Sequence, residues 1–168
     1  MTTALVTGGT GTIGSALVRR LLAEGYTVRA LFRSETSAVA ARDLGAEVAR
    51  GDVLDHASLR RAAEGCSLLF HVAGRSGLCL PDADAMERLN VEGTENAVHA
   101  AAAAGVPRVV LTSSAATLGE ERGAIGDEAT AHRGSFLSRY EASKHRAEAR
   151  ALSLGRELDV DVVSVNPA

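Results

Sequence analysis

Four glycines fall within the eight residues TGGTGTIG, at Gly8, Gly9, Gly11 and Gly14. An apolar run ending at Val6 stands before them, and Ile13, Leu17, Val18, Leu21 and Leu22 follow at helical spacing. Glycine in an ordered segment costs conformational entropy, so this cluster must answer a steric or ligand requirement. A strand, a glycine turn and a helix, in that order, open a βαβ unit whose turn faces a phosphate. Gly8 is expected to make the tight turn, Gly11 to let backbone approach a pyrophosphate, and Gly14 to let the helix pack close to the sheet. The N–H groups of the helix start, at Thr12 and Ile13, then meet the phosphates. The Gly-Lys-Ser/Thr ending of a P-loop does not follow, so a dinucleotide is the expected occupant, and a glycine-rich turn that holds no ligand is the plain structural alternative.

The remaining sequence repeats the alternation. Strands are expected at Ala4–Thr7, Thr27–Phe32, Glu47–Arg50, Leu68–Val72, Arg108–Thr112 and Val160–Val165. Their nearly continuous apolar character suits parallel strands covered on both faces. Helical segments lie between them, and Gly25, Gly45, Gly65 and Gly105 stand where helix ends take a left-handed residue. The run Ala100–Ala104 reads as helix. The expected fold is α/β: a Rossmann-type doubly wound parallel sheet of about six strands with helices on both faces. The 168 residues suit one domain, 1–168, able to bury a core without a disulfide or metal staple.

Composition removes several function classes. A formal charge of −3 and 3% aromatic residues exclude the basic stripe and stacking rings of a nucleic-acid surface. No apolar run approaches the ~20 residues of a membrane span. Strand-like sequence starts too near Met1 for a signal peptide. Cys66 and Cys79 lack metal-ligand spacing, so reduced thiols in a cytoplasmic protein are expected.

Seven stretches together resemble the extended short-chain dehydrogenase/reductase family, in the NAD-dependent epimerase/dehydratase-like branch that includes dihydroflavonol reductases. They are TGGTGTIG, GDVLD at Gly51–Asp55, FHVAG at Phe70–Gly74, NVEGTEN at Asn90–Asn96, VVLTSSAATLG at Val109–Gly119, YEASK at Tyr140–Lys144 and VNP at Val165–Pro167. Thr12 replaces an aromatic residue often found at that point of the family's glycine turn. The resemblance implies a nicotinamide dinucleotide cofactor. It puts Asp52 on the adenine amino group, Val53 against the adenine ring, Ala73 in the cofactor site, and Asn166 and Pro167 near the nicotinamide. Arg33, at the end of the second strand, stands where an arginine can pair with an adenosine 2′-phosphate, with Ser34 beside it; an acidic residue there would favour NAD. NADP is therefore the expected cofactor and NAD the alternative. Glu35 complicates this, since it can bind a ribose or repel a phosphate. A solvated Arg33 and a turn-forming Asp52 are the plain structural alternatives.

Tyr140 and Lys144 are four apart in a helical segment and share a face. A nearby ammonium favours a phenolate, which suits a tyrosine to exchange protons near neutral pH. The resemblance makes Ser114, Tyr140 and Lys144 a catalytic set. Tyr140 moves the proton, Ser114 hydrogen-bonds the substrate oxygen, and Lys144 also holds the nicotinamide ribose. Ser113 is the alternative to Ser114. By the same resemblance Asn90 supports the active-site helix, although a solvated or capping Asn fits the sequence equally. His71 reads as packed rather than catalytic.

The implied chemistry is hydride transfer between nicotinamide and a small carbonyl or secondary-alcohol substrate, without metal, nucleic acid or membrane. Arg33, and Leu118 where nucleotide-sugar epimerases usually carry tyrosine, favour an NADP-dependent reductase. An NAD-dependent nucleotide-sugar epimerase or dehydratase, and a non-catalytic nicotinamide-binding sensor, are the alternatives. Resemblance and the small residues of the alanine run imply a homodimer through Met86–Ala104 and Ser138–Glu157. Arg75–Asp84 is expected to supply one substrate wall. In the family much of the substrate pocket follows the sixth strand, whereas this sequence ends at Ala168. The expectation is that the C-terminal substrate region is absent and that the chain binds cofactor but turns over poorly.

Overall fold

The computed structural model describes residues 2–76, 82–119, 126–127 and 129–167. Along them run β1 (Thr3–Thr7), α1 (Thr12–Ala23), β2 (Thr27–Phe32), α2 (Glu35–Asp43), β3 (Glu47–Arg50), α3 (His56–Ala63), β4 (Leu68–His71), α4 (Ala83–Ala104), β5 (Arg108–Thr112), α5 (Arg139–Glu157) and β6 (Asp161–Val165), with one 3-10 turn at Ala115–Thr117. The strands form one sheet in the order β3-β2-β1-β4-β5-β6. Every neighbouring pair is parallel. This is the expected doubly wound α/β arrangement.

Alternation along each strand divides the core in two. Ala4 and Val6 of β1 join Val28, Ala30 and Phe32 of β2 under Val18 and Leu21 of α1. Leu5, pointing the other way, joins Leu31, Leu69 and Val109 under α3 and α4. Leu111 continues that second face beneath Val98 of α4 and Ala151 and Leu154 of α5. Burying a Leu or Val side chain contributes roughly 1.5–3 kcal/mol, so these two layers dominate the fold's stability.

The helices start where the sequence supplies caps. The Ser34, Asp55, Asp82 and Ser138 side chains each accept a first-turn N–H at the head of α2, α3, α4 and α5. Gly105 ends α4 at φ 71, as its place before β5 predicts. Of the alanine run, Ala100 and Ala101 are fully buried on the sheet, while Ala103 is exposed. The outer seam between α4 and α5 carries arginine–carboxylate pairs: Arg146 with Glu87 at 2.7 Å, Arg150 with Glu95 at 2.6 Å, and Arg139 with Asp84. At the far end, Val162 of β6 packs into the α5 side, and Val163 and Val165 are 42% and 44% exposed on the other face.

No helix among the described residues is long and apolar enough to cross a membrane. Cys66 is free and buried, and burial pushes its thiol up. Cys79, and residues 77–81 of the expected wall Arg75–Asp84, lie outside the described residues.

Candidate active site

Strand order reverses between β1 and β4, and parallel sheets open a crevice at the strand ends beside such a reversal. A cleft of about 740 Å³ lies there. Its wall contains Gly8, Gly11, Thr12, Ile13, Gly14, Arg33, Asp52, Val53 and Ala73, so these expected cofactor residues share one cavity. Tyr140, Lys144, Ser114, Asn166 and Pro167 are not in that wall; Ser114, Asn166 and Pro167 lie just past the ends of β5 and β6, and Lys144 reaches the Thr112 carbonyl there from α5.

The glycine turn has three separate reasons for its composition. Gly8 has φ +70, and a Cβ there would come 2.7 Å from the Ala73 nitrogen. A Cβ at Gly11 would meet only the Gly8 carbonyl, at 3.5 Å, which is ordinary contact. No protein atom therefore requires glycine at 11, and the space above it is open to a ligand. Gly14 corrects an expectation: its Cβ would lie 2.1 Å from the Gly8 carbonyl oxygen, so it answers to the turn itself rather than to the sheet. No side chain caps α1 at Gly11, leaving first-turn N–H groups available to an anion. An open glycine floor under an uncapped helix start fits a pyrophosphate.

At the β2 end of the cleft the Arg33 guanidinium stands 3.6 Å from an Asp52 carboxylate oxygen. The other Asp52 oxygen accepts the Leu54 N–H at 2.9 Å, so Asp52 also forms its turn. Ser34 and Ser37 complete this corner. Glu35 is drawn to Arg42 at 2.8 Å and is absent from the wall; that guanidinium holds its carboxyl below the usual range. Val53 is 6% exposed and packs towards Gly93, where a Cβ would lie 3.1 Å from a Val53 methyl. Val53 is thus core as much as cleft.

Beneath the glycine turn, the Thr7 hydroxyl oxygen accepts the N–H groups of Val72 and Ala73 at 3.2 and 3.1 Å. Its own hydrogen is left for His71 Nδ1, 3.0 Å away. His71 is therefore neutral with its proton on Nε2. Burial, and then the Lys144 ammonium, push its pKa down to about 3. His71 is packed and hydrogen-bonded, as expected.

Tyr140 sits in the first turn of α5, and Lys144 follows one turn later. Ser138 and Glu141 head this helix as Ser-x-x-Glu, and the Ser138 hydroxyl accepts the Glu141 N–H at 3.1 Å. The Glu141 carboxylate, buried, turns outward to the Arg133 guanidinium and to the Leu137 N–H at 2.6 Å. It fastens residues 133–137 to the turn bearing Tyr140. Lys144 is 6% exposed and donates to the Thr112 carbonyl at 2.8 Å. Burial pushes its ammonium down to about 8, with Glu148 opposing. Asn90 is 1% exposed and bridges Arg75 to the Ser143 hydroxyl, which it meets at 2.9 Å. It supports α5 and is neither solvated nor a cap.

The two serines separate cleanly. Ser113 is 5% exposed and faces Glu148, without a hydrogen bond of ordinary geometry. The Ser114 oxygen accepts the Ala116 N–H at 3.2 Å from a half-buried position, which leaves its hydrogen free to donate outward. Asn166 and Pro167 are stapled to the same turn: the Asn166 amide donates to the Ser114 carbonyl at 3.1 Å, and the Pro167 carbonyl accepts the Ala115 N–H at 2.9 Å. Among the described residues no group of three His, Cys, Asp or Glu side chains could hold a metal ion.

Sequence reasoning missed Glu141, Glu148 and one plain fact: Lys144 is the only lysine in the chain, every other cationic side chain of that kind being arginine. The third was countable. Glu148 was signalled by spacing alone, since Tyr140, Lys144 and Glu148 stand at i, i+4 and i+8.

Fold and cleft define a dinucleotide-binding domain of the short-chain dehydrogenase/reductase kind. The NAD dependent epimerase/dehydratase family matches residues 4–168, and the chain belongs to that family. A Synechocystis protein that carries dihydroflavonol 4-reductase as a provisional name is 39% identical over 97% of this chain and 48% of its own length. The crystal structure of gox2253 superposes with a TM-score of 0.90 at 40% identity, covering 99% of this chain and 51% of that one. A short-chain dehydrogenase/reductase superfamily protein from Agrobacterium tumefaciens with bound NAD gives 0.80 at 30% identity, over 98% and 48%. The chain thus spans about half the length of the relatives it matches.

Proposed function

We propose that this domain is the cofactor-binding and catalytic half of an NADP-dependent reductase acting on a small carbonyl or secondary-alcohol substrate. The observation that carries the reading is the buried Lys144: its ammonium is lowered to about 8, one helical turn from Tyr140, with its Nζ on the strand end that precedes Ser114. A nicotinamide bound in the cleft supplies or takes the hydride. The glycine turn and the head of α1 hold the pyrophosphate. Arg33, Ser34 and Ser37 face an adenosine phosphate. Ser114 donates to the substrate oxygen, Tyr140 exchanges that oxygen's proton, and Lys144 keeps a positive charge beside the exchange. The reductase name of the Synechocystis relative points the same way.

A second reading, an NAD-dependent nucleotide-sugar epimerase or dehydratase, draws on Asp52, which already neutralises Arg33. A non-catalytic nicotinamide sensor has no use for the Ser114, Tyr140 and Lys144 set. Titrating NADPH and NADH into wild type and Arg33→Asp, followed by nucleotide fluorescence, decides between the cofactors. Tighter NADPH binding that Arg33→Asp lowers by roughly tenfold or more, the loss of one charge-assisted bond, supports the reductase. A wild-type preference for NADH, or a preference that the substitution leaves unchanged, removes the NADP assignment.

A further inference from the structure

Three segments of the chain meet at one carboxylate oxygen. Glu148 Oε2 lies 2.8 Å from the Ser164 hydroxyl of β6, 2.9 Å from the Asn166 amide and 3.1 Å from the Thr117 hydroxyl. Asn166 carries the connection on to the Ser114 carbonyl. From the same helix, one turn earlier, Lys144 holds the Thr112 carbonyl. The Ser114 turn is therefore gripped on both sides by side chains of the helix that bears Tyr140.

The grip requires a charge. Glu148 is half-buried, and burial alone raises a carboxyl group. The donors around it outweigh burial and keep it below the usual range. Hydrogen bonds to an ionised acceptor are roughly twice as strong as neutral ones. A glutamine here keeps one acceptor oxygen for these groups but loses the charge that strengthens the bonds. An alanine leaves the half-buried Ser164 hydroxyl without its acceptor, and Thr117 and Asn166 with the Ser114 carbonyl they share.

We propose that Glu148 is a positioning residue: its carboxylate fixes the Ser114 turn and Asn166 against α5, and so sets where the Ser114 hydroxyl stands relative to Tyr140. This rests on the reading of Ser114, Tyr140 and Lys144 as the reacting set. Glu148 also raises the Lys144 ammonium, whose charge in turn lowers the neutral His71 of β4; Tyr140 stands one turn before Lys144 on α5, and β5 offers its Thr112 carbonyl.

The sole lysine makes the test direct, because protein grown with isotope-labelled lysine gives one side-chain resonance. The titration midpoint of Lys144 and the amide hydrogen exchange of residues 113–118 are measured in wild type, Glu148→Gln and Glu148→Asp. In Glu148→Gln the midpoint falls below that of wild type, and exchange in 113–118 accelerates about tenfold or more while β1 and β4 keep their protection. Glu148→Asp, which retains the charge, keeps the midpoint near wild type and gives intermediate exchange; it also serves if Glu148→Gln does not fold. An unchanged midpoint with unchanged loop exchange overturns the proposal. So does uniform acceleration across the sheet, which would make Glu148 a residue of general stability. NADPH and NADH binding by wild type is measured alongside. Failure to bind either would sink the reductase reading and leave the Glu148 result standing.

Discussion

Replacing Lys144 by methionine removes the only lysine ammonium in the chain while nearly keeping its volume. Burial lowers that group from 10.5 to about 8. At about 1.4 kcal/mol per tenfold change in proton affinity, the folded state disfavours the charge by about 3 kcal/mol relative to the unfolded chain. Below pH 8 both states are protonated and the whole penalty stands. Between about 8 and 10.5 the unfolded chain holds the proton and the folded chain does not, so wild-type stability rises with pH. Above that window the penalty is gone. Cys66, whose thiol is pushed up by burial, acts in the opposite sense at high pH, so the difference between wild type and variant is the quantity to follow. Urea unfolding from pH 7 to 10.5 should show Lys144→Met losing about 3 kcal/mol of its standing relative to wild type across the window. The variant should also lose affinity for the nicotinamide dinucleotide. A gap that stays constant over the whole range would refute the claim that the fold holds this ammonium at a cost.

Other consequences are simpler to read. Tyr140→Phe should keep dinucleotide affinity and lose carbonyl reduction in any longer preparation that turns over; near-normal turnover would remove Tyr140 as the acid/base. Gly11→Ala and Gly14→Ala should part company. The first meets no protein atom closer than 3.5 Å and should weaken only dinucleotide binding, whereas the second collides at 2.1 Å with the Gly8 carbonyl and should also lower the melting temperature. Equal stability of the two variants would contradict the geometry. A homodimer through α4 and α5 should appear in sedimentation at micromolar concentration, and monomer alone would count against it.

Where the sequence was legible, one local signal sufficed. β2, β3 and β5 occupy the expected residues, because short apolar stretches that begin one or two residues after Gly25, Gly45 or Pro107 have few alternatives. The errors at strand ends have one long-range and one local cause. β4 stops at His71 because the Val72 N–H turns to the Thr7 hydroxyl. β6 starts at Asp161 because the Val160 N–H closes the end of α5 on the Gly155 carbonyl. The glycine turn and Arg33 could be placed around one cleft from order and spacing, and Asp52 from the family resemblance. That Ser113 points inward and Ser114 outward could not, since it depends on a carboxylate 34 or more residues further along. The alanine run shows the limit of a compositional motive: the small residues thought to serve a partner helix are largely spent on the sheet.

The pair formed by Arg33 and Asp52 turns cofactor choice at this corner into an exchange of anions. An adenosine phosphate entering the cleft does not meet an idle guanidinium. On the NADP reading proposed above it would compete with a carboxylate already 3.6 Å away, and discrimination between the two dinucleotides would be the difference between those partners. Salt weakens the carboxylate contact and the phosphate contact alike, so the ratio of the two affinities should vary less with ionic strength than either affinity does alone.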